Sequence, residues 1–580
     1  MTSARRYFDL VRGNWAVVSA VVVLILFVVV PLSFLLITSL KEGTPGNLGA
    51  WSLINYENAY ISSALVFEAF RNTIGVATIG TIISLLLAGL FAWLVERTDM
   101  PGKMWVYAGV PLGLAVPGIL HAIVWVLLLS PRSGFINRVW MDLVGTRTPL
   151  FDIYTMGGLI FAEGLRLVPV AFLMLVPLFR SMDPSLEEAA ATNGASPFRA
   201  TRRVTFMLLL PGLLAITIFQ AISALETFEV PGILGLPVNL HVFSTRVFNI
   251  IDNIGTIPAF GQANAAAIFY LVIALVVSFF YLRLVRHSER YSVITGKGYT
   301  PRLVHLGAWR KVAFAFAMFF LFVTILLPFL ILLHVSLVGY LRAPSLAAVE
   351  TYSLKHYEVV LNQPRAQIVI GNTVFMTLMT ATVVSFLSFL IAYIVVRTRF
   401  VARYLLDLLS FLPHSIPGIV LGLALFWLLL QFDVLTGAST FGSIYSLVLG
   451  FTIIFLAYSV RAMSVAMIQV HPDLEDAAKL SGAPPWRVAI RIFLPLLLPT
   501  LVGVWIYVAL LSVRFVSLPL ILAQGSSNEV LGVMIWYMWD NGEINSVGAV
   551  GIMLMTAMFT LAIIMRLIGF GRQRAVGTAI

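Results

Sequence analysis

Six charged residues lie inside otherwise apolar stretches of this 580-residue chain: Glu163, Arg166, Glu226, Glu229, Arg461 and Arg514. A charge at the centre of a bilayer-spanning helix costs about 2.5 kcal/mol or more, so such side chains face protein or water and mark a polar path. Glu163 and Arg166 stand three residues apart on one helical face, where they can neutralise each other. Glu226 and Glu229 also share a face, but two carboxylates cannot satisfy one another and need a cation, a proton or an arginine. At a shift of 288 residues Glu226 matches Arg514. The expectation is that these two meet across an axis relating the halves of the chain and close the path; the blander alternative is that they are solvated at a membrane surface.

Other chemistry is poorly provided for. The chain has no cysteine, which removes disulfides, thiolate metal sites and thiol nucleophiles. Its eight histidines form no His-x-x-x-His pattern, and no metal set can be assigned. Thr295-Gly296-Lys297-Gly298 contains Gly-Lys, but Tyr291 stands where a phosphate loop needs its first glycine and no Ser or Thr follows the lysine. No nucleotide is therefore expected to bind.

The elements that must position the charges are apolar helices. Hydrophobic residues make up 60% and charged residues 11% of the chain, with a mean hydropathy of +0.97. Soluble domains carry about 25% charged residues, so this is an all-α polytopic membrane protein. The net charge of +11 sits in short loops, which fits membrane orientation rather than nucleic acid. Arg5, Arg6 and Arg12 precede an apolar run from Ala16 to Ile37, too long for a signal peptide and read as an uncleaved first span.

The spans repeat. Phe91-Ala92-Trp93-Leu94-Val95 returns 300 residues later as Ile391-Ala392-Tyr393-Ile394-Val395, Asn72-Thr73 as Asn372-Thr373, and Pro117-Gly118 as Pro417-Gly418. The shift then falls to 288, which places about 12 extra residues in the first half near 130–154. About 12 transmembrane helices are expected as two parallel six-helix repeats: residues 1–285, a basic linker at 286–311, and residues 312–580. Lys and Arg concentrate in the segments that lie inside when both termini are cytoplasmic.

Two polar islands interrupt the spans at equivalent places. Asp183 to Pro211 reads DPSLEEAAATNGASPFRATRRVTFMLLLP, and His471 to Pro499 reads HPDLEDAAKLSGAPPWRVAIRIFLPLLLP. Each predicts a short helix starting on a proline and ending at Gly194 or Gly482, followed by a second helix that enters the membrane. Glu188-Ala189-Ala190 with Gly194, and Asp476-Ala477-Ala478 with Gly482, resemble the E-A-A-x-x-x-G loop of permease subunits of bacterial ATP-binding-cassette importers. The sequence departs from that pattern at Asp476, where the motif has Glu, and at Met207, where the second copy has Pro495.

The resemblance implies that loops 183–203 and 471–491 are coupling loops that dock on a cytoplasmic ATPase homodimer. Glu187, Glu188, Ala189, Ala190 and Gly194, and Glu475, Asp476, Ala477, Ala478 and Gly482, are then the coupling residues. It implies a multi-pass protein of the bacterial inner membrane, served by a periplasmic substrate-binding protein and holding no cofactor, with ATP and Mg used by the partner ATPase. The fused permease with a basic linker around Val293 to Tyr299 looks like the ferric-iron importer type, which makes ferric iron the expected substrate. Thiamine, polyamines and aminoethylphosphonate are the alternatives within that class. An ion-driven secondary carrier is the alternative outside it, and it gives no reason for two such loops.

Overall fold

Backbone amides in a bilayer have no water to bond to, so an apolar chain of this length must satisfy them within helices. The computed structural model describes residues 15–44, 46–62, 65–180, 192, 194, 206–252, 259–288, 303–398, 403–523, 525 and 527–577. Ten helices among them are long and apolar enough to span a membrane, and two further bent pairs bring the number to twelve if each pair is one span.

In the first unit the order is α1 (Ser19–Ser39), α2 (Leu65–Arg97), α3 (Lys103–Leu112), α4 (Gly118–Leu129), α5 (Phe135–Val144), α6 (Met156–Arg180), α7 (Phe206–Leu225), α8 (Glu229–Gly235), α9 (Phe243–Ile251) and α10 (Phe260–Ser288). The second unit has α11 (Trp309–Leu337), α12 (Pro364–Arg397), α13 (Arg403–Phe411), α14 (Gly418–Thr436), α15 (Ile444–Ile468), α16 (Asp473–Leu480), α17 (Trp486–Arg514), α18 (Ser517–Leu522), α19 (Leu531–Asp540) and α20 (Ile544–Gly577). Amphipathic α5 occupies the region of the extra residues and has no counterpart, because α14 runs on through the equivalent stretch. Asn137 of α5 ties that loop together, donating to the carbonyls of Leu129, Ser130 and Phe151 and accepting from the amides of Leu150 and Phe151.

Proline sets where the helices bend, in two ways. Pro31, Pro328 and Pro495 each stand two residues beyond a π turn, at Ile25–Val29, Phe322–Leu326 and Ala489–Phe493. The missing N–H removes one bond and a wider turn absorbs the loss without stopping the helix. Pro117 and Pro417 act more sharply. Both take an extended ψ, 141° and 142°, and the first turns α4 by 98° away from the preceding helix. The third span is therefore a bent pair, broken at Val116-Pro117-Gly118.

Helices pack through small residues, which is how apolar helices approach closely where lipid is as greasy as protein. The buried face of α2 carries Ala69, Thr73, Ala77, Gly80, Thr81, Ser84 and Ala88, and that of α12 carries Ala366, Thr373, Thr377, Thr380, Ala381 and Ser388. Gly164 of α6 meets α2 so closely that a methyl group there would come within 2.9 Å of Ile83 Cγ2. Ile74, Ile79, Ile82 and Leu86 cover the opposite face of α2 and are exposed.

The two units interlock. Phe91 of α2 packs on Phe316 and Phe320 of α11, Phe260 of α10 stacks on Phe426 of α14 at 4.7 Å, and Trp536 of α19 stacks on Phe228 beside α8 at 5.3 Å. The linker also grips the first unit. Residues Thr98 and Val304 form a bridge, and Asp99 accepts from the Leu306 amide while pairing with His305 and Arg310.

Candidate functional site

The charges in the first unit gather around the break between α7 and α8. Pro231 cannot donate to the carbonyl of Thr227, and its ring clashes there, so the helix stops at Leu225 and resumes at Glu229 with a 48° bend. Pro519 does the same in the second unit, where α17 stops at Arg514 and α18 begins at Ser517. Backbone groups freed at such breaks must find partners inside the protein.

Glu163 and Arg166 make the pair expected of them, Nε to Oε2 at 2.9 Å and Nη2 to Oε1 at 2.6 Å, with the Glu163 side chain 0% exposed. Thr227 at the break donates its hydroxyl to Glu163 Oε2 at 3.1 Å, and the Thr227 carbonyl accepts from Ser244 of α9. Two further bonds cross between the units. Glu229 Oε1 accepts from the Val516 amide at 3.2 Å, at the break before α18. Arg514 Nη1 donates to the Leu114 carbonyl at 3.1 Å, just before the α3–α4 bend. Each charged side chain thus satisfies a backbone group that a helix break in the other unit has released.

Two expectations need correcting. Among the described residues no ion pair joins Glu226 to Arg514; Arg514 Nη1 donates instead to the Leu114 carbonyl of the other unit. Arg461 lies apart from the cluster: it reaches Asp407 at 3.5 Å and sits over the Phe411 ring, half exposed, where snorkelling to the surface spares it the cost of burial.

The site is chemically one-sided. At the 288-residue shift Glu163, Arg166 and Thr227 become Phe451, Ile454 and Phe515. Phe451 stacks on Phe455 at 5.6 Å, and Phe515 stands edge-on to both. A cavity beside Arg166 is lined by His121 and Thr324 together with apolar Val110, Leu165 and Phe320. His121 is buried, with Nε2 3.0 Å from the Ala162 carbonyl and 3.1 Å from Trp125 Nε1.

Sequence reasoning noticed Asn72-Thr73 and Asn372-Thr373 only as a repeat. They hold the entry to α9 and α19. Thr73 Oγ1 accepts from the Phe243 amide at 2.7 Å and Thr373 Oγ1 from the Leu531 amide at 2.9 Å, while Asn72 and Asn372 donate to the carbonyls of His241 and Glu529. A polar pair recurring in register inside two apolar spans was the signal that could have shown it. His121, the one histidine within its span, went unremarked.

On the other polar surface, α16 is the helix expected from His471 onward. Asp473, Glu475 and Asp476 occupy its first turn, where the positive end of the helix dipole favours them. The Gly482 amide bonds to Lys479 and the Ala483 amide to Ala478, a Schellman ending that requires the left-handed φ of +77° at Gly482. Asp476, Ala477 and Leu480 are exposed, Leu480 at 91%, and Ala478 is half-buried. Glu475 instead turns inward and pairs with Lys479 at 2.7 Å, off the exposed face. Arg397 of α12 donates to the carbonyls of Met467 and Val470, fixing the end of α15 that delivers the chain to α16. In the first unit Glu187, Glu188, Ala189 and Ala190 lie outside the described residues; Gly194 is described and has the same φ of +77° as Gly482.

Two like-ordered helical units, interlocked through broken membrane helices and presenting a short helix on one surface, define a polytopic permease. Residues 384–573, within the second unit, match the family model "Binding-protein-dependent transport system inner membrane component", and over most of its length the chain is similar to permease proteins of ABC importers. It is 26% identical over 486 residues to a "Probable ABC transporter permease protein" of Sinorhizobium fredii, covering 81% of this chain and 82% of that one. It is 23% identical to the "Ferric transport system permease protein FbpB" of Actinobacillus pleuropneumoniae, over 84% of this chain and 68% of that one. With the "Fe(3+)-transport system permease protein FbpB 2" of Haemophilus influenzae it shares 22% identity over 81% and 83%. A permease of that type is an inner-membrane protein that works with a substrate-binding protein and a separate ATPase.

Proposed function

We propose that this chain is the membrane core of an ATP-driven importer for ferric iron, taking its substrate from a periplasmic binding protein. The observation that carries the coupling role is the exposed α16 with Gly482, matched by Gly194 at the same left-handed φ. An ATPase homodimer has two equivalent docking points, and a chain with two such loops answers both. In this reading both termini and both coupling loops are cytoplasmic, and this chain itself holds no ATP, Mg or other cofactor. Exposed Leu474, Leu480 and Trp486 are apolar surface for a partner to cover. Ferric iron is supported by the names of the two ferric relatives and by the carboxylates of the first unit, which suit hard cations.

ATP binding draws the ATPase subunits together and the two coupling loops with them. Each loop connects directly to the helix that ends at a break, α16 to α17 and residues 183–203 to α7. Motion of α7 and α17 pulls on the bonds from Glu229 to Val516 and from Arg514 to Leu114, which hold the path shut. Their release opens it towards the binding protein.

Uptake of labelled ferric iron by cells lacking the chain tests both parts. Wild type is expected to restore uptake, and the chain with Gly194→Val and Gly482→Val to fail while remaining in the membrane. Uptake that never depends on the chain would sink the iron assignment and send the same strains to thiamine, polyamines and aminoethylphosphonate. Equal restoration by both versions would sink the coupling role.

A further inference from the structure

Phe248 of α9 and Trp536 of α19 occupy the same position in the two units, at the 288-residue shift. The helices that carry them are held alike, since the amides of Phe243 and Leu531, at the same shift, bond to Thr73 and Thr373. Yet the two rings touch, edge to face at 5.7 Å. Residues equivalent under a two-fold relation meet only near its axis, and the axis between two like units is where a shared path runs.

A third ring closes the group. Phe228 stacks on Trp536 at 5.3 Å and stands edge-on to Phe248 at 5.4 Å, so each ring touches the other two. All three are buried. The first unit alone supplies Phe228, whose counterpart is Val516. It sits in the break itself, with a non-helical φ of −130°, between Thr227, bonded to Glu163, and Glu229, bonded to Val516 of the other unit. Gly232, one turn into α8, makes room for the indole: a methyl group there would come within 2.6 Å of Trp536 Cη2. Between the coupling loop and the break α7 runs for 20 residues, about 30 Å, so the cluster lies near the membrane face opposite the coupling loop.

We propose that Phe228, Phe248 and Trp536 seal the transport path on the side where the binding protein docks. This rests on the importer reading above and adds which side chains must part. Packed apolar rings on the axis exclude water and so stop an ion or any other polar cargo. Ring pairs are individually weak, so the seal yields to a coupled motion. Phe228 shares its break with the Glu229 bond to Val516, and a pull on α7 strains that bond and withdraws the ring together. A closed seal therefore weighs against the state in which the ATPase subunits meet, and weakening it shifts the balance towards that state.

ATP hydrolysis by the complete importer in nanodiscs, with its ATPase, tests the seal without recourse to iron. Trp536→Ala removes two ring contacts, and hydrolysis in the absence of the binding protein should rise about ten-fold over wild type. Gly232→Ala, which crowds the indole, should raise it in the same direction, and a misfolded chain cannot produce such a gain. Trp536→Phe, which keeps a ring in place, should stay near wild type, as should Phe386→Ala on the exposed face of α12. The chain has no cysteine, so Phe248→Cys combined with Trp536→Cys supplies its only two thiols. A short thiol-to-thiol reagent should bridge them in the nucleotide-free importer, abolish stimulation by the binding protein, and release it again on reduction. Unstimulated hydrolysis at or below the wild-type level in both Trp536→Ala and Gly232→Ala overturns the seal; so does a pair that does not bridge, or a bridged chain that responds as the reduced one does. Wild-type hydrolysis indifferent to the binding protein defeats the importer reading, whereas normal stimulation of wild type with these variants unchanged defeats the seal alone.

Discussion

Replacing Glu163 by Gln removes one half of a buried bidentate pair and leaves the rest of the site in place. The carboxylate is fully buried and the Arg166 side chain is 18% exposed, so the guanidinium left behind has little water to turn to. Its two short bonds and the Thr227 contact all converge on the lost carboxylate. Stripping one partner from a buried ion pair costs about 3–5 kcal/mol, chiefly because the survivor stays charged and uncompensated. Arg166→Gln should cost a similar amount for the mirror reason. The double variant, with two neutral amides facing each other, should lose clearly less than the sum, giving a coupling energy of about 3 kcal/mol. Equilibrium unfolding of the purified chain in mixed micelles over a range of dodecyl sulfate measures all three. Additive losses, with coupling below about 0.5 kcal/mol, would refute the view that this pair is the electrostatic anchor of the α7–α8 break.

Two further outcomes follow from local geometry. Thr373→Val leaves the Leu531 amide without its acceptor at a cost of about 1–3 kcal/mol, so amide exchange should quicken at the start of α19 and stay unchanged at α9, with Thr73→Val giving the opposite pattern; unchanged exchange in both would deny the Asn-Thr pairs their role. Outside the spans, the Leu306 amide, then His305 and Arg310, hold the Asp99 carboxyl below its usual value. A group with a depressed folded pKa stabilises above its unfolded value, about 3.9, and loses that contribution as pH falls through the folded one. Protection of the Val304 and Leu306 amides should therefore decline in acid and lose this pH dependence in Asp99→Asn, as hydrogen exchange would show.

Features that depend on composition and local order are legible from the residues alone. Apolar runs of span length fix an all-helical membrane chain, since nothing else satisfies the backbone in lipid. The two polar islands, each opening on proline and closing on glycine, fixed α16 and the left-handed turns at Gly194 and Gly482, because first-turn and final-turn preferences act within a few residues. Spacing fixed the Glu163–Arg166 pair for the same reason. Tertiary structure decided everything that joins distant segments. Glu226 and Arg514 match in the repeat, yet a repeat predicts equivalent positions and not contact; Arg514 found the Leu114 carbonyl freed by a bend 400 residues away. Asn72 and Thr73 were visible as letters, but the amides they hold exist only because α9 starts beside α2. The inward turn of Glu475 and the meeting of Phe248 with Trp536 likewise depend on what packs around them. Burial and partner choice are properties of the surrounding helices, and a single line of residues carries only the helix to which each belongs.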